Sequence, residues 1–299
     1  MTGTGSGTRV GWVGLGAMGS PMAACVARAG FAARAYDIDP GRARALVADG
    51  VQPAASIREA ATDADVLVVM VATPAQVESV LFGDDPAAPA LAAGATVVVM
   101  ATVGPAPVLR WSERLAAQQV DVVDAPVSGG VARAAAGDLL VMVGGAPDAV
   151  AHVRPLLDTL ARSAPVVGPN PGDGQKVKLV NQLLCGVHIA VAAEALAFAE
   201  ALDLDPAATW EVVRGGAAAS FMLDDRGGRM VHGTDEVKSA LDIFVKDMGL
   251  VADAARASSY PAPLATAAEQ VYLAGRRAGL GRRDDSAVIE VLRGGPPPA

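Results

Sequence analysis

The sequence predicts an α/β domain built on a parallel sheet, followed by an all-α domain, the two joined by one long helix. Three observations carry this reading. Short apolar runs alternate with helical stretches from Arg9 to about Val167. That rhythm stops at the Pro/Gly cluster Gly168-Pro169-Asn170-Pro171-Gly172. Beyond the cluster only helical stretches follow. Strands separated by helices of this length need parallel crossovers, and such sheets are covered on both faces.

In chain order, Arg9–Val13 reads as a strand, Ala17–Ala29 as a helix and Ala32–Tyr36 as a strand. Further strands are expected at Asp65–Val71, Thr96–Met100, Asp121–Val123, Leu139–Val143 and Ala164–Val167. Helices between them are expected at Pro74–Leu81, Pro105–Gln118 and Pro147–Ala161. After the cluster, Lys176–Leu202 reads as one helix of about seven turns. Asp205-Pro206 opens another, with Pro at the first helical position. Glu236–Ser258, Pro263–Ala278 and Asp285–Leu292 complete the set.

A chain of 299 residues suffices for two domains. The expected division is a disordered lead over 1–8, a dinucleotide domain over 9–168, a helical domain over 169–293 and a disordered tail over 294–299. The lead lacks an apolar signal-peptide core, and the most apolar helix is interrupted by His188, Glu194 and Glu200. A cytoplasmic protein with no membrane partner is expected. The composition is 52% hydrophobic but 4% aromatic, so Ala, Val and Leu must fill the core. A net charge of -8 argues against nucleic acid as a partner. Cys25 and Cys185 lie far apart in apolar sequence, and the three histidines show no ligand spacing, so no disulfide framework and no metal are expected.

Gly14-Leu15-Gly16-Ala17-Met18-Gly19 follows the first strand directly and opens a helix, the setting of a pyrophosphate-binding turn. Gly14 permits the tight turn, Gly16 lets a pyrophosphate approach the backbone, and Gly19 lets the helix pack on the strand. The helix N-terminus offers N–H groups and a partial positive charge. The second strand ends at Tyr36-Asp37. A carboxylate there accepts hydrogen bonds from a ribose and repels a 2′-phosphate, which favours NAD over NADP. Arg34, Arg42 and Arg44 nearby soften that preference. Thr102, after the strand ending near Met100, is a candidate contact to the nicotinamide half.

Asp124-Ala125-Pro126-Val127-Ser128-Gly129-Gly130 follows another strand. Ser128 brings a hydroxyl, and Gly129 and Gly130 leave backbone N–H groups uncovered, so the loop suits a carboxylate. Later, Gly172-Asp173-Gly174-Gln175-Lys176-Val177-Lys178-Leu179-Val180-Asn181 opens the long helix. Lys178 and Asn181, three apart, share a face with Gln175 and Gln182, whereas Lys176 lies about 200° away from Lys178.

These motifs, with Lys246-Asp247-Met248-Gly249-Leu250, resemble the β-hydroxyacid dehydrogenases, which include 3-hydroxyisobutyrate dehydrogenase, tartronate semialdehyde reductase and 6-phosphogluconate dehydrogenase. The resemblance runs from Arg9 to about Leu292. It implies a Rossmann-type N-terminal domain, a helical second domain and, on the long helix between them, a catalytic lysine at Lys178 with Asn181 beside it. It implies a small anionic hydroxy acid held by Ser128, Gly129, Gly130, Asn181 and Lys246, the last also touching cofactor. The family often has Asn-Asn where this chain has Asn181-Gln182. An amine takes the hydroxyl proton only when neutral; burial and neighbouring positive charge favour that form.

Arg214–Arg226, Ser239–Asp247, Pro261–Leu264 and Asp284–Ile289 resemble most the L-threonate dehydrogenase branch, which implies oxidation of the C2 hydroxyl of a four-carbon sugar acid. The alternative is a 3-hydroxyisobutyrate or tartronate semialdehyde type of enzyme. More distant alternatives are an imine reductase, a class that generally lacks this lysine, and an inactive cofactor-binding module. Ser220, Asp225 and Arg226 are candidates for extra hydrogen bonds to a polyol acid. Long Ala-rich helices, like the resemblance, point to a homodimer or homotetramer.

Overall fold

The computed structural model describes residues 7–293. The tail expected over 294–299 and most of the lead expected over 1–8 lie outside the described residues. Two compact units form, Met1–Lys178 and Leu179–Ala299, so the division falls inside the long helix.

In the first unit the strands are β1 (Arg9–Val13), β2 (Ala32–Tyr36), β3 (Gln52–Pro53), β4 (Val66–Val69), β5 (Thr96–Val99), β6 (Asp121–Asp124), β7 (Val127–Ser128), β8 (Leu139–Val141), β9 (Val143–Gly144), β10 (Ala161–Ser163) and β11 (Val166–Gly168). Eight form the main sheet in the order β11-β9-β6-β5-β4-β1-β2-β3. All its pairs are parallel except β6 with β9. The helices are α1 (Gly19–Arg28), α2 (Pro40–Ala45), α3 (Ile57–Ala61), α4 (Pro74–Phe82), α5 (Pro105–Ala116), α6 (Gly130–Ala136) and α7 (Pro147–Leu160). Pro opens α2, α4, α5 and α7, where its missing N–H is no loss.

Period-two alternation divides each central strand between two cores. Val66 and Val68 of β4 join one apolar cluster with Trp12, Met22 and Leu156, while Leu67 and Val69 join the other with Val77, Trp111 and Leu115. The strand order reverses between β1 and β4, and ligands of such sheets lie beyond the strand ends at that point.

One expected strand breaks in two: Leu139–Val143 divides at Met142, because β8 joins β7 and β10 in a separate three-stranded sheet while β9 stays in the main one. The strand expected over Ala164–Val167 forms as β11, and the unexpected β10 precedes it. Met142 N–H goes to Pro126 O, and the next N–H, of Val143, goes to Pro165 O, so the chain changes sheets there.

The helix α8 (Asp173–Ala201) begins three residues before its expected start. It is followed by α9 (Pro206–Val213), α10 (Phe221–His232), α11 (Leu241–Ala257), α12 (Pro263–Arg277) and α13 (Ile289–Leu292), the last preceded by a 3-10 turn at Asp285–Val288. The helix expected from Glu236 starts only at Leu241. Lys238 and Ser239 instead give their N–H groups to the Asp284 carboxylate, and Ala240 bridges to Asp284 in extended form. By length and composition α8 is apolar enough to cross a membrane. Its Ile189, Ala192, Ala193 and Leu196 are buried in the second unit's core with Phe244, Met248 and Tyr272.

Candidate active site

The glycine turn forms as the spacing predicts. Gly14 has φ +99, and a Cβ there would lie 2.3 Å from Met70 O. A Cβ on Gly19 would lie 2.1 Å from Gly14 O, so the helix approaches the turn as closely as backbone allows. A Cβ on Gly16 would meet only Arg42 Nη1, at 3.9 Å, so the space above it is open. Gly16, Ala17 and Met18 form the partly exposed tip, and α1 begins behind it at Gly19. Leu15 is buried and its N–H is taken by Asp37 Oδ2 at 2.7 Å. This open cradle before a helix N-terminus fits the pyrophosphate of a dinucleotide.

Asp37 is buried at the end of β2 and also accepts from Asp39 N at 2.9 Å. Two of a carboxylate's roughly four acceptor sites remain for a ribose. Arg42 Nη1 stands 3.8 Å from Asp37 Oδ2, while Arg34 turns away to Glu59 O. Asp39 caps α2 through Gly41 N.

Lys178 is 6% exposed, and its Nζ donates to Val127 O at 2.7 Å. That carbonyl precedes Ser128, Gly129 and Gly130, so the amine and this loop are neighbours. Lys176 is exposed and pairs with Asp173 at 2.7 Å. Of the two lysines, Lys178 is thus the one on the buried face of the helix.

Gln175, fully buried, ties the same turn to the loop carrying Thr102. Its Oε1 accepts from Val103 N at 3.0 Å and Gly104 N at 3.1 Å, and its Nε2 donates to Ala101 O at 2.9 Å. Thr102 is therefore clasped on both flanks.

Asp124, also fully buried, accepts from Gly172 N and Gln175 N, each at 2.6 Å. Sequence reasoning gave Asp124 no role, although it opens the substrate-loop motif. Burial pushes its carboxyl up to about 7, against the two N–H donors, which favour the charge. The protonated form is thus favoured on folding. Its stabilisation is complete below the ordinary value of 3.8 and fades as pH rises toward about 7. We expect Asp124→Asn to gain on the wild type by about 1.4 kcal/mol per pH unit across that window. Urea midpoints at pH 5, 6 and 7 check this; a constant difference would show that the group does not titrate there.

In the second unit, Asn181 Nδ2 donates to Gln182 Oε1 at 2.9 Å, Gln182 Nε2 donates to Asp247, and Asp247 Oδ1 pairs with Lys246 Nζ at 2.7 Å. Gln182 is buried and joins Asn181 to the Lys246-Asp247 pair. Ser220, Asp225 and Arg226 have structural tasks. Ser220 caps α10 through Leu223 N; Asp225 pairs with Arg226 and Arg229; Arg226 also binds the buried Asp285 at 2.9 Å.

A glycine turn before a helix, a buried carboxylate ending the second strand and a buried amine beside a loop of uncovered N–H groups are what a nicotinamide-dependent dehydrogenase needs. Comparison with known proteins agrees. Residues 9–168 match the family described as the NAD binding domain of 6-phosphogluconate dehydrogenase, and residues 172–292 that described as the NAD-binding of NADP-dependent 3-hydroxyisobutyrate dehydrogenase. The L-threonate dehydrogenase of Cupriavidus necator is 41% identical over 285 residues, covering 95% of this chain and 96% of its own. That of Escherichia coli K12 is 40% identical over 294 residues, 97% of each chain. A crystal structure of 3-hydroxyisobutyrate dehydrogenase from Salmonella typhimurium matches with a TM-score of 0.90 at 41% identity, over 95% of this chain and 99% of that one. The chain belongs to the 3-hydroxyisobutyrate dehydrogenase-like β-hydroxyacid dehydrogenases, and it is an NAD(P)-dependent oxidoreductase acting on hydroxy acids.

Proposed function

We propose that the protein oxidises the C2 hydroxyl of L-threonate, or of a closely similar four-carbon sugar acid, with NAD as the preferred acceptor. The observation that carries the dehydrogenase chemistry is Lys178 Nζ, buried and held 2.7 Å from Val127 O beside the substrate loop. The relatives named L-threonate dehydrogenase, similar over nearly the whole chain, support the substrate.

The turn Gly14–Gly19, Asp37 and Thr102 would hold the dinucleotide, which would supply the hydride acceptor. Ser128 and the N–H groups of Gly129 and Gly130 bind the carboxylate. Lys178 removes the proton from the reacting hydroxyl as the carbonyl forms; in reduction it returns it. Asp247 holds Lys246 in place.

The protein mixed with NAD and, in turn, L-threonate, D-erythronate, 3-hydroxyisobutyrate and glycerate is expected to form NADH fastest with L-threonate. A greater kcat/KM for 3-hydroxyisobutyrate would replace the substrate by that of the alternative branch. The cytoplasm, where both cofactors occur, is the proposed location.

The second unit supports a homo-oligomer. Val180, Leu184, Val191, Phe198 and Leu202 of the α8 region are at least half exposed and recur at spacings of four and seven, the pattern of a helix-packing seam. Light scattering is expected to give a dimer or tetramer, and Phe198→Glu a smaller species. An unchanged mass in that variant would place the interface elsewhere.

A further inference from the structure

We propose that Asp124 is a positioning residue for Lys178: by binding the first turn of α8 through Gly172 and Gln175, it fixes the amine at Val127 O beside the Ser128–Gly130 loop. This rests on the reading of Lys178 as the proton-transfer group.

The first N–H groups of a helix have no partner within it. Here the single carboxyl group of Asp124 takes two of them, one on each oxygen, at 2.6 Å. Lys178 follows Gln175 by three residues, less than one turn, or roughly 4.5 Å along the axis. A displacement of the first turn therefore reaches Lys178 almost undiminished. Shifts of about 1 Å in a reacting group can cost on the order of a hundredfold in rate.

The surroundings are built around this carboxylate. A Cβ on Gly144 would lie 2.6 Å from Asp124 Oδ1 and 2.5 Å from Gly174 N. A Cβ on Gly174 would lie 2.8 Å from Asp124 Oδ2 and 2.3 Å from Met142 O. The sequence motifs opening at Asp124 and Gly172 and the strand β9 thus converge on one slot with no space for a larger residue. Gln175 supplies a second tether in the same turn through Val103, Gly104 and Ala101. Together they set both the height and the rotation of α8 where Lys178 leaves it.

Asp124→Asn keeps the shape but offers one acceptor oxygen instead of two. Relative to wild type, kcat with the best hydroxy acid is expected to fall about tenfold or more, with KM and the Kd for NAD within about threefold. Acylation of the folded protein by acetic anhydride, followed by mass spectrometry, reads the amine without turnover. Lys178 is expected to react about fivefold faster in the variant, while exposed Lys238 is unchanged. A kcat within about twofold of wild type, or an unchanged Lys178 labelling rate, overturns the proposal.

If the variant does not fold, amide exchange in the wild-type protein decides. Gly172 and Gln175 N–H groups are expected to exchange about a hundredfold slower than free amides, and exchange at the free rate overturns the proposal. A wild-type protein inert toward every hydroxy acid would sink the functional reading, while labelling and exchange would still test what Asp124 holds.

Discussion

Replacing Lys178 by Ala is expected to lower kcat for hydroxy-acid oxidation roughly 10²- to 10⁴-fold, while the Kd for NAD changes by less than about threefold. The reason is positional. The amine is 6% exposed and lies beside the Ser128–Gly130 loop, whereas the turn proposed to receive the pyrophosphate is built from Gly14 to Gly19. Lys176 cannot take over, because it is exposed and paired with Asp173. Steady-state kinetics with tryptophan-fluorescence titration of NAD separates the two quantities. An equal loss of turnover and of NAD affinity would mean that Lys178 supports the fold of the cofactor site and transfers no proton.

Asp37→Asn is expected to raise the ratio of kcat/KM with NADP to that with NAD by about ten- to a hundredfold. A 2′-phosphate placed against the Asp37 carboxylate meets like charge, which costs several kcal/mol. Removing the charge also frees Arg42, now 3.8 Å from Asp37 Oδ2, to face the phosphate. Asn retains an oxygen for Leu15 N, so the turn should keep its form. Kinetics with both cofactors checks this. An unchanged ratio would place the 2′ position away from Asp37, and discrimination would then have to come from elsewhere in the turn.

The parts of the molecule set by local rules were legible in the sequence. β1 and β2 have the expected bounds, and Gly14 and Gly19 sit where a Cβ would collide with backbone. The two lysines of the α8 motif were separable by helix rotation alone. What stayed hidden depends on groups distant in sequence. Asp124 meets Gly172 across 48 positions, and no periodicity marks a buried carboxylate that caps another element. The late start of α11 has the same origin, since Asp284 captures the N–H groups of Lys238 and Ser239 from 46 and 45 positions away. Ser220, Asp225 and Arg226 invited a polar-ligand reading because isolated sequence shows their chemistry but not their commitments. Gln182 departs from the familiar pair at its position, and its bond to Asp247 gives that departure a physical role.

Trp12 is wholly buried, and its indole Nε1 donates to Gly14 O at 3.0 Å, at the base of the glycine turn. The chain has three tryptophans, and the other two, Trp111 and Trp210, bind Glu78 and Leu223 instead. The protein thus carries an intrinsic optical reporter wired to its nucleotide turn. Its emission can follow cofactor arrival without a label, under conditions where no catalysis occurs.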